Sequence, residues 1–292
     1  MSLLSFFPTW VWIALACAFC VATADAFSKH FLEKRESSVV ALVRWFYASL
    51  FLSPLLFLEP IPWSSALMSW FVVVMPLEVF AISFYMKALK TSPLSMVAPF
   101  TSLTPVFLFF VSYFLLGEVP HLFGILGVLL VVVGSFFLNQ RNTSPGKRAP
   151  WNIYRDPGVR CMVLAAFLYA FAAGIGKKMF LSSPTLSLIA LYSLLSTLTL
   201  MLYTLFRFGP KPFKMIVDRP FRYLPMALFD ALGYWTNFTG ILQTDVSYFI
   251  AIKRTSLFFA IVYGGIFFKE RNLRQRLFGG ALMLMGVLLV AL

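Results

Sequence analysis

Ten long apolar runs follow one another along the chain, separated by short polar segments or by glycine and proline. A helix needs about 20 residues to cross a bilayer, and continuous apolar runs of that length favour transmembrane helices over strands. The runs predict helices over residues 8–30, 38–58, 65–89, 93–115, 119–138, 159–181, 184–206, 222–243, 246–268 and 275–292. The pattern therefore predicts an all-α membrane protein with ten transmembrane helices and short loops.

The composition excludes a water-soluble protein. Hydrophobic residues make up 60% of the chain and charged residues 12%, whereas soluble domains have about 45–50% and about 25%. The net charge of +13 does not indicate a nucleic-acid partner, because the Lys and Arg residues lie in short loops rather than on one soluble face. Residues 1–8 carry no basic stretch typical of a cleaved signal, so the first helix is expected to remain in the mature chain.

The two halves of the chain resemble each other. A shift of 152 residues aligns the ends of the halves without a gap, and a shift of 148 aligns the first helix of each half. The larger shift pairs Ser95 with Ser247, Glu118 with Glu270, Gly127 with Gly279, Gly134 with Gly286, and Glu78 with Asp230. The smaller shift places Lys29 over Lys177.

Five helices per half is an odd number, so the second half must enter the membrane from the opposite side. The sequence therefore predicts a five-plus-five inverted repeat, with the first repeat at 1–138, a polar linker at 139–158 and the second repeat at 159–292. Inverted repeats are typical of secondary transporters, whose substrate site lies between the repeats near the membrane midplane.

The loops differ in positive charge. Nineteen of the 24 Lys and Arg residues lie in or beside loops 1–2, 3–4, 5–6, 7–8 and 9–10, whereas the termini and the other loops hold Lys177 and Lys178. Loops rich in Lys and Arg face the cytoplasm. We therefore expect a multi-pass protein of the cytoplasmic (inner) membrane with both termini outside the cytoplasm.

These features together resemble the EamA-type branch of the drug/metabolite transporter superfamily. The resemblance rests on the ten helices, the repeat, the acidic steps Gly117-Glu118 and Lys269-Glu270 that close helices 4 and 9, and the paired glycines of helices 5 and 10. Arg44 in helix 2 also matches an arginine that this family often carries. The resemblance implies a carrier for small metabolites that works by alternating access without ATP. The expected orientation departs from the family's usual one, in which both ends are cytoplasmic.

Helix 9 carries a second, narrower resemblance. Its Lys253-Arg254 step is similar to the phosphate-binding Lys-Arg step of the sugar-phosphate and nucleotide-sugar translocators of the same superfamily. Helix 4 lacks the further basic residue that those translocators would lead one to expect.

Six charged residues lie inside predicted helices, where each costs about 2.5–3.5 kcal/mol to insert. They are Asp25, Arg44, Glu78, Asp230, Lys253 and Arg254. For Arg44, either a structural pair with an acid such as Asp25 or Glu78, or direct substrate contact, fits the pattern. For Asp25, Glu78 and Asp230, both structural ion pairs and proton coupling fit.

Lys253 and Arg254 point about 100° apart on a helix, so one acid cannot easily pair with both. Two adjacent cations fit an oxyanion, which arginine binds through a planar fork and lysine as a mobile charge. The alternative is that both lie at the membrane rim and extend into water. Thr101 and Ser102 are the repeat equivalents of Lys253 and Arg254 on helix 4, and Tyr234 and Trp235 are candidate wall residues of the cavity.

The sequence therefore predicts a secondary active transporter for a small organic metabolite with an anionic or phosphate group. The alternative is an exporter of amino acids or of cationic or aromatic compounds that uses the acidic residues. A proton or a counter-substrate is the expected coupling partner. No enzyme, cofactor or metal site is expected, because His30 and His121 are isolated and Cys17, Cys20 and Cys161 have no neighbouring ligand residues.

Overall fold

A computed structural model describes residues 8–32, 37–61, 63–92, 97–139, 155–183, 186–218, 220–259, 263 and 273–291. Ten main helices lie within these residues: α1 Thr9–Leu32, α2 Ser37–Leu52, α3 Ser65–Thr91, α4 Thr104–Leu116, α5 Leu122–Asn139, α6 Pro157–Ser182, α7 Leu186–Phe208, α8 Leu224–Ile241, α9 Val246–Lys253 and α10 Leu273–Ala291. The described part contains no strand. The all-α prediction is confirmed. Most of the predicted linker 139–158 lies outside the described residues, and the repeat boundaries stay a prediction.

Local sequence signals determine several helix ends. The Ser64 side chain accepts a hydrogen bond from the backbone N–H of Leu67 at the start of α3. Asp156 accepts two such bonds at the start of α6, where Pro157 occupies the first helical position. These are the usual N-terminal caps, which satisfy backbone donors that have no partner within the helix.

Among the described residues, five helices are long and apolar enough to cross a membrane: Thr9–Ser28, Ser38–Phe57, Ser65–Ala88, Pro157–Ser182 and Leu186–Phe208. Shorter apolar helices cover Phe100–Leu116, Leu122–Phe137 and Phe278–Ala291. Many large apolar side chains on the outer surface are exposed, among them Phe114, Phe206 and Phe221. This surface suits a lipid environment and would be costly in water.

The two halves pack against each other with two-fold symmetry. Helix α1 packs on α8 and its repeat equivalent α6 packs on α3, while α2 packs on α7 and α5 on α10. Exchanging every helix for its equivalent in the other repeat reproduces this set of pairs. The halves are therefore interleaved, and the core lies between them rather than inside either one.

The glycines of α5 and α10 show that the repeat is inverted. A Cβ atom at Gly127 would lie 2.7 Å from the backbone oxygen of Gly286, and one at Gly134 would lie 2.7 Å from that of Gly279. The small residues thus let the two backbones touch, as small residues do between membrane helices. Residue numbers rise along α5 as they fall along α10, so these equivalent helices are antiparallel. The axis that relates them is perpendicular to the helices, as expected for an inverted repeat.

Two predicted helices are interrupted in the structure. The run predicted as one helix over 93–115 forms a 3₁₀ turn at Ala98–Leu103 before α4 begins. The run predicted over 246–268 leaves regular α-helix at Lys253, and its part beyond residue 259 is described only at Tyr263. On helix 4 the cause is Pro99 and Pro105, because proline has no backbone N–H and an unbroken α-helical ladder cannot run through both.

Candidate functional site

Arg44 is held between two aspartates. Its Nη1 donates to Asp25 Oδ1 at 2.5 Å, its Nε donates to Asp230 Oδ1 at 2.7 Å, and its Nη2 lies 2.5 Å from the same oxygen. The side chains of Arg44 and Asp230 are 13% and 6% exposed. This network joins α1, α2 and α8. Arg44 and Asp230 are shielded from water, whereas the side chain of Asp25 is 41% exposed. Of the two roles open to Arg44 from the sequence, the geometry favours the structural one.

Glu78 has a different partner from its repeat equivalent Asp230. The hydroxyl of Tyr192 on α7 donates to Glu78 Oε1 at 2.8 Å. Lys253 and the phenols of Tyr169 and Tyr234 lie close enough to Glu78 to interact with it electrostatically. The two repeat-equivalent acids thus occupy unlike environments, one among phenols and the other against a guanidinium group.

Lys253 and Arg254 lie at the interruption of helix 9. The N–H of Arg254 lies within hydrogen-bond distance of both Ile250 O and Ala251 O, and the N–H of Thr255 bonds Ile252 O at 2.9 Å. Bonds to the third preceding residue tighten the helix into a 3₁₀-like turn, which inside a longer helix often marks a hinge or a functional site. The repeat-equivalent segment of helix 4 is the 3₁₀ turn that contains Thr101 and Ser102.

Neutral groups hold the two cations. Lys253 Nζ donates to Asn237 Oδ1 on α8 at 2.7 Å, and Arg254 Nη2 donates to Thr104 Oγ1 at the start of α4 at 2.9 Å. Within the described residues, no ion pair forms on either cation. Arg254 therefore bridges the interrupted helices of the two repeats with its charge unmatched by a carboxylate.

Several buried polar atoms near these turns have no hydrogen-bond partner in the described part of the chain. They are Arg254 Nε, Ser102 Oγ and Thr255 Oγ1, together with Asp230 Oδ2 in the Arg44 network. A buried polar group without a partner costs free energy, and most such groups in folded proteins have one. Within the described residues, the turns thus present two hydroxyls and one guanidinium N–H without a hydrogen-bond partner, an arrangement that suits an oxyanion.

Aromatic side chains surround the charged residues. The rings of Tyr85 and Tyr169 are 6.4 Å apart in a T-shaped pair, and both interact electrostatically with Arg254. The ring of Tyr234 lies 6.2 Å from that of Phe238. Trp235 is 44% exposed. Trp235 is therefore too exposed to be placed in the interior with the tyrosines, and its role in the wall of the cavity stays a prediction.

Sequence reasoning missed Thr104 and Asn237. The search followed charged residues and their repeat equivalents, and both missed residues are neutral. A signal was present for Asn237, since an amide inside an apolar run commonly hydrogen-bonds to a neighbouring membrane helix. No group of three or more His, Cys, Asp or Glu that could hold a metal lies among the described residues.

The comparisons with known proteins agree with this architecture. The model of the EamA-like transporter family matches residues 8–140 and again residues 156–292. The chain belongs to the EamA-like transporter family. It is thus a multi-pass membrane transporter of the drug/metabolite transporter superfamily.

The structural comparison extends over nearly the whole EamA fold. A solved structure described only as "Crystal structure of protein" matches with a TM-score of 0.70 at 15% identity, and the match covers 96% of this chain and 94% of that one. At this identity the match shows the fold alone. No curated protein matches the sequence.

Proposed function

We propose that the protein is a secondary active carrier for a small organic solute with an anionic or phosphate group. Lys253 and Arg254 hold the anionic part. The observation that carries this proposal is the contrast between the two intramembrane arginines: Arg44 lies between two aspartates, whereas Arg254 donates to a threonine. A partly buried guanidinium with no carboxylate in contact is an open position for an anion.

The position of the pair supports a role in transport. Lys253 and Arg254 lie where helix 9 is interrupted, and Arg254 reaches the interrupted helix of the other repeat. Transporters commonly bind substrate at such breaks between repeats. Thr101 and Ser102 supply hydroxyls from helix 4, and Tyr234 and the neighbouring phenols form part of the wall. We assign Arg44, Asp25 and Asp230 to bracing the helices around this site.

A second candidate function follows from Glu78. Its carboxylate accepts a hydrogen bond from a tyrosine, and two further phenols lie within electrostatic range. A carboxylate among aromatic rings suits a cation. An exporter of amino acids or of cationic or aromatic compounds would use this side of the cavity.

Counterflow in proteoliposomes tests the transport proposal. Vesicles loaded with one unlabelled compound at a time, drawn from sugar phosphates, organic acids, amino acids and quaternary amines, are diluted into the same labelled compound. We expect transient accumulation of labelled anions that empty vesicles do not show. Accumulation of the quaternary amines alone would favour the second candidate.

Coupling to protons is proposed through Glu78. We expect uptake to respond to an imposed pH gradient in the parent protein and to lose that response in Glu78→Gln, while counterflow without a gradient persists. Counterflow needs no net proton movement, so it isolates the coupling step. Glu59→Gln, at an exposed acid near the end of α2, is the matched control and should keep the response. An unchanged gradient response in Glu78→Gln would exclude this role.

We also propose that the protein lies in the cytoplasmic membrane with both termini outside. The support is the distribution of Lys and Arg among the loops. A reporter that is active only outside the cytoplasm, fused after Leu292, should therefore be active. A fusion at Asp218, between α7 and α8, supplies the opposite control. If a cytoplasm-only reporter is bright after Leu292 and dark at Asp218, the orientation is the reverse.

A further inference from the structure

One face of the bundle carries a buried ion pair that no part of the proposed substrate site uses. Lys177, five residues before the end of α6, pairs with Glu118, which follows α4. Their side chains are only 7% and 11% exposed. This is the face at which α4 and α6 end and α9 begins, and we call it the 4–5 face.

The pair joins three separate segments. Lys177 Nζ also donates to the backbone oxygen of Thr244, between α8 and α9, at 2.5 Å. The other oxygen of Glu118 accepts the backbone N–H of Val246, the first residue of α9, at 3.2 Å. One carboxylate and one ammonium group thus hold the end of α4 against both α6 and the start of α9. We call these four groups the 118–177 latch.

The turn after α4 directs Glu118 into the latch. Gly117 has φ = +72°, a left-handed conformation that glycine adopts without strain. The N–H of Gly117 bonds Tyr113 O at 3.2 Å, which is the bond of an αL C-cap motif, and the N–H of Glu118 bonds Ser112 O at 3.3 Å. This motif turns the chain back over the helix end and fixes the position of the carboxylate.

Two further contacts close the same face between the repeats. The N–H of His121 donates to the Tyr248 hydroxyl at 2.9 Å, and Lys178 Nζ donates to Leu115 O at 3.1 Å. The latch lies at Val246, seven residues before Lys253 on the same helix. At about 1.5 Å per residue this is about 10 Å along the axis. Along α9, the latch therefore lies between the 4–5 face and Lys253.

We propose that the 118–177 latch is the gate of the 4–5 face, closed in this structure and broken when the site opens to that side. An alternating-access carrier must open each face in turn, and the latch joins the segments beside both interrupted helices. A paired charge suits a reversible closure, because both groups regain water when the face opens and the desolvation cost of burial is returned. This inference goes beyond the substrate proposal, and its test needs no substrate.

Thiol labelling measures the opening directly. Cys17, Cys20 and Cys161 are replaced by alanine, and Ser247→Cys introduces a thiol on the first turn of α9, where Ser247 is 1% exposed. The purified protein in nanodiscs is treated with a small charged methanethiosulfonate, and the labelling rate is followed by intact mass. We expect slow labelling with the latch intact. Glu118→Gln and Lys177→Gln should each raise the rate at least tenfold.

Matched variants separate the gate from a general loss of packing. The double variant Glu118→Gln/Lys177→Gln leaves neither charge buried alone, so it should fold even if one of the single variants fails to fold. It should also label at least tenfold faster than the protein with the latch intact. Glu59→Gln removes an acid that binds the Leu186 N–H and should leave the rate unchanged. Thr204→Cys, buried near the other end of α7, should stay unlabelled throughout. Parent-like labelling of the folded double variant, or a parallel rise at Thr204, would overturn the proposal.

Discussion

Arg44→Gln is expected to abolish most of the folded protein. The change leaves the carboxylates of Asp25 and Asp230 without their shared guanidinium, and Asp230 is buried. Breaking a buried ion pair by removing one partner costs about 3–5 kcal/mol, a large share of the stability of a typical domain. Fluorescence-detected size exclusion should show aggregated or absent protein. The melting temperature of any remaining folded fraction should fall well below that of the parent.

Two further variants show whether charge is the cause. Arg44→Lys keeps the charge but loses the fork that reaches both aspartates, so its stability should lie between those of parent and glutamine variant. Arg44→Gln combined with Asp25→Asn and Asp230→Asn removes every charge of the network and should recover folded protein. Normal folding and melting of Arg44→Gln would contradict the bracing role.

Arg254→Ala should weaken an anionic ligand by roughly ten- to hundredfold while the protein still folds. A hydrogen bond to a charged group contributes about 1.5–3 kcal/mol. Folding tolerates this change because Arg254 donates to a threonine, so no buried carboxylate is left unpaired. Arg254→Lys should restore part of the affinity, since lysine keeps the charge but not the planar fork. Isothermal titration on purified protein measures the dissociation constants.

Arg160→Ala is the matched control for Arg254→Ala. Arg160 is an exposed arginine near the start of α6, so its loss should leave the affinity unchanged. Equal affinities of Arg254→Ala and the parent protein would remove Arg254 from the binding site. The contrast with Arg44 is itself informative, because one intramembrane arginine is expected to determine folding and the other to determine binding.

The repeat could be predicted from the sequence because membrane helices leave long apolar runs and equivalent glycines recur at a fixed shift. Gly127 and Gly286 are in contact because the repeat is inverted, and that inversion followed from an odd number of helices per half. The interruption of helix 4 was not predicted, although Pro99 and Pro105 are a signal for it. The turn at Lys253 has no such signal, since its backbone bonds change without proline or glycine.

Side-chain pairing depends on how the helices face each other, which periodicity does not provide. One of the two roles that the sequence leaves open for Arg44 is a pair with an acid such as Asp25 or Glu78. The structure pairs Arg44 with Asp25 and Asp230 and gives Glu78 to Tyr192. The cause is the packing of α8 against α1 and α2, a contact that spans the two repeats.

The sequence did not predict the 118–177 latch, for the same reason. In the sequence, Glu118 is one of the residues that align the two repeats, and Lys177 is one of the two basic residues on the side of the membrane that is poor in positive charge. Their pairing joins positions 59 residues apart, and it depends on how α4 packs on α6. The roles of Lys253, Arg254, Thr101, Ser102, Tyr234 and Trp235 in substrate binding remain predictions.

A thermal-shift screen of the purified parent protein tests the central claim most directly. A ligand that binds the folded state raises the melting temperature, and the shift grows with the logarithm of the ligand concentration divided by its dissociation constant. The account predicts that phosphorylated or carboxylated metabolites give the largest shifts, and that Arg254→Ala loses those shifts while Arg160→Ala keeps them. The account would be contradicted if organic cations gave the largest shifts, or if Arg254→Ala responded to the anions as strongly as the parent.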